Sequence, residues 1–157
     1  MDRIATVVKF VGIALSMIGV VISGLIIARY GITRALVFSS CTIILSNLAF
    51  AWLATTAGPT ILGLGFANGL DAMAQALHGT ALIALMSVLT SARYTATQYA
   101  LFSSMAALPG KLLEGTSGSV VDAIGYPHFF LYTASLSIPA LLLLFVLTRP
   151  AYRRAMP

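Results

Sequence analysis

Charge is what this chain has least of. Of 157 residues, nine are Lys or Arg and four are Asp or Glu, 8% in all, against 59% that are hydrophobic. Soluble domains carry roughly 25% charged residues, and the mean hydropathy here is +0.98, so an all-α integral membrane protein is implied. Cysteine is almost absent. Cys41 stands alone, which excludes an intramolecular disulfide and a cysteine-based metal site. No basic run is interleaved with exposed aromatics, so the net charge of +5 does not point to nucleic acid; it comes from arginines near span ends. Catalytic signatures are missing too: no HExxH, no GxSxG, no paired carboxylates, no histidine beside Cys41. An enzyme, a metal and a cofactor are therefore not expected. Nor is a removable leader, since residues 10–28 are too long and too apolar for a signal segment and no convincing small-x-small cleavage site follows them.

What is present is a series of apolar runs, each long enough to cross about 30 Å of hydrocarbon. They predict one transmembrane domain over residues 1–157, with five spans at about 10–28, 35–54, 61–89, 97–123 and 129–148. In the first, Gly12, Ser16, Gly19 and Ser23 favour close helix contact in lipid. Thr55–Pro59 reads as an uncharged turn, with Pro59 suited to a helix start. The third span adds a Gly65-x-x-x-Gly69 contact surface. Ser91–Tyr94 is a further turn, and Thr95 with Gln98 forms a capping box for the fourth helix. Pro109-Gly110 interrupts that helix, and since neither half spans alone, a kink is expected there. Gly125-Tyr126-Pro127 is a tight turn, and Pro139 lies within the fifth span.

Five spans put the termini on opposite sides. Arg29, Arg34, Arg93, Arg149, Arg153 and Arg154 gather on one side, and only Arg3 and Lys9 on the other. The positive-inside rule then places the amino terminus outside and the carboxyl terminus in the cytoplasm.

The third span is polar where a membrane helix should not be. Asn68, Asp71, Gln75 and His78 are three, four and three residues apart, a spacing that stacks them on one helical face. An Asp at the bilayer centre costs about 2.5–3.5 kcal/mol, so this face belongs against protein or a wet cavity. Two roles compete for each group. Asp71 is either a proton-carrying or substrate-facing acid or a structural partner for Lys111 or the fourth helix's backbone. Lys111 either meets an acidic ligand or neutralises Glu114 three residues on. His78 either relays protons or is a hydrogen-bonded packing residue.

The first turn, Gly24-x4-Arg29-x-Gly31-x2-Arg34, is an ordinary arginine-anchored loop in its plain reading. It also resembles the cytoplasmic gate loop of the major facilitator superfamily, with Ala28 where that loop has its acid. A more specific pattern runs through Ile4–Lys9, Ala28–Leu36, Asp71, His78-Gly79-Thr80-Ala81, Tyr94–Ser104, Pro109-Gly110-Lys111 and Asp122–Pro127. It resembles the muropeptide permease (AmpG-type) family over essentially the whole chain, as the last five of that family's twelve or more helices, eight to twelve. The resemblance implies a proton-coupled secondary transporter segment importing peptidoglycan-derived anhydro-muropeptides across the bacterial inner membrane. Asp71 falls where the family has an acid, and Lys111 where it has Lys or Arg after Gly. Ala72, His78 and Glu114 depart from its pattern. The implied partners are a muropeptide-like small molecule, protons, lipid and the missing amino-terminal helices or a complementary chain. The alternative is a truncated or split gene product with no independent transport.

Overall fold

The computed structural model describes residues 2–55, 60–90 and 95–147, with side chains over 9–55, 60–90 and 96–146. Four helical runs account for nearly all of them: α1 (Asp2–Tyr30), α2 (Ile32–Thr55), α3 (Ile61–Leu89) and α4 (Thr95–Leu147). Each contains a stretch long and apolar enough to cross a membrane. The chain is a multi-pass membrane protein.

One residue separates α1 from α2. Gly31 has φ +87°, a left-handed conformation that costs an L-residue roughly 1–2 kcal/mol and glycine almost nothing. Its N–H closes α1 on the Ile27 carbonyl at 3.0 Å, and its own carbonyl accepts the Ala35 N–H at 3.2 Å to open α2. The predicted Pro59 start of the third span lies outside the described residues. Thr60 caps α3 instead, its hydroxyl accepting from the Gly63 N–H at 3.2 Å. Helix α4 begins at Thr95, where the capping box predicts a start, although the Thr95 side chain itself lies outside the described residues.

At Pro109-Gly110, where a kink is expected, the helix is not broken. Backbone angles stay helical through it, and the non-helical residue inside α4 is Gly125, with φ +75° and ψ +161°. A helix-interior proline removes the bond of its own missing N–H and crowds the carbonyl four residues back, which bends a helix without forcing a left-handed residue. At Gly125 two effects combine: a left-handed glycine, and a following Tyr126 restricted by Pro127. The break divides α4 into a first arm (95–124) and a second arm (126–147). The predicted turn at Gly125-Tyr126-Pro127 is this break, set within a single helical run where separate fourth and fifth helices were expected.

Helices α1 and α3 run parallel and pack closely. Gly12 lies under Asn68 and Ala72, Gly19 under the Met73 backbone, and Gly69 under Leu15 and Val11. Without lipid-exclusion forces between spans, such close backbone approach is what holds helices together. Of the Gly65/Gly69 pair only Gly69 is used; nothing lies within 4 Å of a Cβ built on Gly65. Helix α2 packs antiparallel to α3 and to the second arm of α4, so it sits between them. The small core is Ala35, Leu36 and Ala81, with Ile26, Ile27, Ile32, Leu82, Leu85 and Leu144 against it. Outward-facing side chains are mostly large and apolar, among them Trp52, Leu62 and Phe66, as a lipid-facing surface requires.

Candidate functional site

The α2–α3 interface carries two matched polar pairs. Ser46 on α2 donates to Asp71 Oδ1 on α3 at 2.9 Å. Seven residues back along α2, Ser39 lies 3.2 Å from His78 Nδ1, seven residues on along α3. Both serines are fully buried. Seven residues are two helical turns, about 10.5 Å, so an antiparallel pair repeats its contacts at that interval. Asp71 and His78 are therefore too far apart for direct proton exchange.

The seam continues on either side. Ser23 on α1 donates to the Leu77 carbonyl at 2.9 Å from a buried position. Across α2, Thr133 on the second arm of α4 donates to Asn47 Oδ1 at 3.2 Å, and Phe50 stacks on Phe130 with ring centroids 5.1 Å apart. Every buried side-chain polar atom among the described residues has a partner.

The four-residue stripe is split rather than shared. At about 100° per residue, His78 lies about 20° to one side of Asp71, while Gln75 and Asn68 lie about 40° and 60° to the other. Asp71 and His78 accordingly face α2. Asn68 is half-buried beside Gly12 of α1. Gln75 is exposed, so the expectation that all four face other helices fails there. The rotation explains it: Gln75 stands on the open edge between the contacts made by α1 and α2.

Asp71 has neither of the structural partners expected for it. Its hydrogen bond comes from Ser46, and it makes no bond to Lys111 or to the backbone of α4. A hydrogen bond to a charged group is worth about 1.5–3 kcal/mol, comparable with the cost of placing the acid in the membrane. Lys111 and Glu114 are both exposed on the first arm of α4 and form no ion pair with each other, so of the two roles open to Lys111 the i,i+3 neutralisation is not observed. Glu114 instead borders a cleft of about 270 Å³ between the two arms, facing Phe129, Tyr132 and Thr133. In the first turn Arg29 and Arg34 flank Gly31 and are exposed, and nothing lies within 4 Å of a Cβ built on Gly24. Among the described residues no cluster of His, Cys, Asp and Glu could hold a metal ion.

Ser39 and Ser46 are the residues that reading the stripe alone misses. The signal was available, because two serines seven apart in one span match an acid and a histidine seven apart in the next.

Comparison with known proteins places these features in context. No family model and no solved structure matches the chain. Among curated proteins it is 32% identical over 145 residues to the putative transporter AmpG 4 of Rickettsia conorii, covering 92% of this chain and 35% of that one. It is 33% identical over 142 residues to the putative transporter AmpG 1 of Rickettsia prowazekii, covering 90% and 32%. To the anhydromuropeptide permease of Escherichia coli it is 26% identical over 144 residues, covering 92% and 29%. The chain thus spans about a third of the length of the curated relatives it matches. Over that third, the resemblance to the AmpG-type muropeptide permease family that the sequence displays is shown.

Proposed function

We propose that this chain is the carboxyl-terminal segment of a proton-coupled secondary transporter that imports peptidoglycan-derived anhydro-muropeptides across the bacterial inner membrane, and that it is not an enzyme. The observation that carries the reading is the similarity to an anhydromuropeptide permease and to AmpG transporters over nine-tenths of the chain, joined to an intramembrane acid held by a buried serine. Acids in membrane spans mark ion and substrate paths by default.

Two geometric arguments support five crossings in the manner of helices eight to twelve of a major facilitator. A helix of 53 residues is roughly 80 Å long, far more than a bilayer's thickness. Moreover, α3 ends beside the start of α2, where Ala81 meets Ala35 and Leu36, whereas the second arm of α4 starts beside the end of α2, where Phe130 meets Phe50. The first arm must carry the chain from one end of α2 to the other, so α4 crosses twice. With that, the six arginines share one side and the amino terminus lies outside.

The segment works with further helices, from the same chain or another. Gln75, Lys111 and Glu114 are exposed on surfaces that would otherwise meet lipid, which is costly for polar groups; facilitator-type carriers place their substrate site between two such bundles. Asp71 and Gln75 then line the substrate and proton path, Lys111 meets acidic groups of the ligand, and the Gly24–Arg34 turn forms part of the cytoplasmic gate. The test is uptake of labelled anhydro-muropeptide into liposomes under a proton gradient. The 157-residue chain alone is expected to be inactive and a complete carrier containing it active. Saturable uptake by the chain alone would overturn the need for a partner bundle; no uptake by the complete carrier would overturn the substrate.

A further inference from the structure

Each buried serine of the α2–α3 seam has one hydroxyl proton and two acceptors within reach. Ser46 Oγ is 2.9 Å from the Ile43 carbonyl oxygen on its own helix and 2.9 Å from Asp71 Oδ1. Ser39 Oγ is 3.0 Å from the Leu36 carbonyl oxygen and 3.2 Å from His78 Nδ1. A hydroxyl donates one hydrogen bond and accepts up to two, and its proton rotates freely about the C–O bond.

We infer that Ser46 and Ser39 are positioning residues that hold Asp71 and His78 in both of their protonation states by hydroxyl rotation alone. With Asp71 ionised, Ser46 gives its proton to the carboxylate. When a proton from water joins Asp71, the carboxyl O–H donates to Ser46 Oγ, and the serine's own proton turns to the Ile43 carbonyl. The pair has gained one proton, the serine has lost none, and no heavy atom has moved. The same exchange works at Ser39. A bare His78 Nδ1 accepts the hydroxyl proton, and a protonated Nδ1 donates to Ser39 Oγ while the hydroxyl turns to Leu36.

The surroundings favour this over an ion-pair switch. Helix α1 lays Val11, Leu15 and Ser23 against α3 beside Gly12 and Gly19, and its described ionisable groups, Lys9, Arg29 and Tyr30, are exposed and bond to neither Asp71 nor His78. The ionisable groups of α2 are Arg34 and Cys41, both exposed. On α4, which touches α3 only weakly, Tyr99, Lys111, Glu114, Asp122, Tyr126, His128 and Tyr132 make no ion pair with Asp71 or His78. A fixed cation would hold Asp71 ionised, and an apolar pocket would hold it neutral. A rotatable hydroxyl satisfies both forms, which a group that must load and release a proton needs.

The inference rests on the proton-carrying role proposed for Asp71, yet its test needs no transport. The full chain, reconstituted in lipid nanodiscs, is compared at acid and neutral pH by infrared difference spectroscopy, and the carboxylic C=O band lost in Asp71→Asn is assigned to protonated Asp71. Ser46→Ala is expected to move that band to higher wavenumber, because the acid loses its acceptor, and Ser46→Thr to leave it in place. Should Ser46→Ala fail to insert, Ser46→Cys keeps the volume with a weaker partner and is expected to shift the band the same way. A band indifferent to Ser46→Ala or Ser46→Cys would overturn the inference, as would the absence of any Asp71 band. Uptake by a complete carrier is read separately: full uptake by Asp71→Asn with the expected band shifts removes the transport role and leaves the serine's behaviour standing.

Discussion

Ser46 and Asp71 meet across the α2–α3 interface at 2.9 Å, and among the described residues that bond is the acid's polar contact with the rest of the bundle. Among the described residues this intramembrane carboxylate rests on a neutral hydroxyl and has no ion-pair partner. Its chemistry can be removed without changing its shape.

Asp71→Asn, placed in a complete carrier containing this segment, is expected to lower uptake by on the order of tenfold or more, which is about 1.4 kcal/mol in the transport step. Insertion and expression should be unaffected, since the amide still accepts from Ser46. Lys111→Met is expected to impair uptake similarly, by removing a charge that no described residue neutralises. Labelled-substrate uptake normalised to protein in the membrane is the measurement, and wild-type rates in either variant would return that residue to a structural role.

Helix spacing gives a contrast between two glycines of similar appearance. A Cβ on Gly19 would lie 2.7 Å from the Met73 carbonyl oxygen, a backbone atom that cannot swing aside. Gly19→Ala is expected to destabilise the α1–α3 pair by about 1–3 kcal/mol. Gly65→Ala meets nothing within 4 Å and should fall within about 1 kcal/mol of the parent, towards greater stability. Unfolding in mixed detergent micelles, followed by circular dichroism, distinguishes them. Equal effects would mean that the close approach at Gly19 does not hold the helices together.

The turn between α1 and α2 should rank its substitutions by tolerance of positive φ. With Gly31 at +87°, Gly31→Asn is expected to cost least, Gly31→Ala about 1–2 kcal/mol and Gly31→Val most. The same unfolding experiment reads the order, and a flat series would show that the turn relaxes to another geometry.

Topology is checked with single cysteines in a Cys41→Ser background. Tyr126→Cys beside the Gly125 break is expected to react with a membrane-impermeant reagent from outside, and Tyr30→Cys only after the membrane is opened. The reverse pattern would invert the orientation, and labelling of both from one side would mean that the number of crossings between them is even.

Much of this was legible in the sequence, and the reasons are physical. The bounds of α3 follow from an uninterrupted apolar run closed by polar residues, and α3 is observed over Ile61–Leu89 as read. The stripe at Asn68, Asp71, Gln75 and His78 follows from helical period alone. Which side of that stripe met protein did not, because period fixes a direction only to within the width of a neighbouring helix. Gln75, about 40° from Asp71, fell outside it. Pro109-Gly110 marks a place where a helix is weakened, whereas the backbone breaks where a left-handed residue is enforced, at Gly125, within the turn read at Gly125-Tyr126-Pro127. Ser39 and Ser46 went unread because a serine in a span ordinarily bonds its own helix, as both also do here. Only the heptad shared with Asp71 and His78 sets them apart.

That shared heptad has a mechanical consequence. Two bonds about 10.5 Å apart on a pair of antiparallel helices act like two pins through adjoining plates. Sliding α3 by one residue, or rolling it by the corresponding angle, strains both pins at once. The expected consequence is that α2 and α3 travel together where the bundle flexes. Compliance is then expected elsewhere, and the break at Gly125, where one long helix becomes two arms around a cleft, is where α4 is already interrupted.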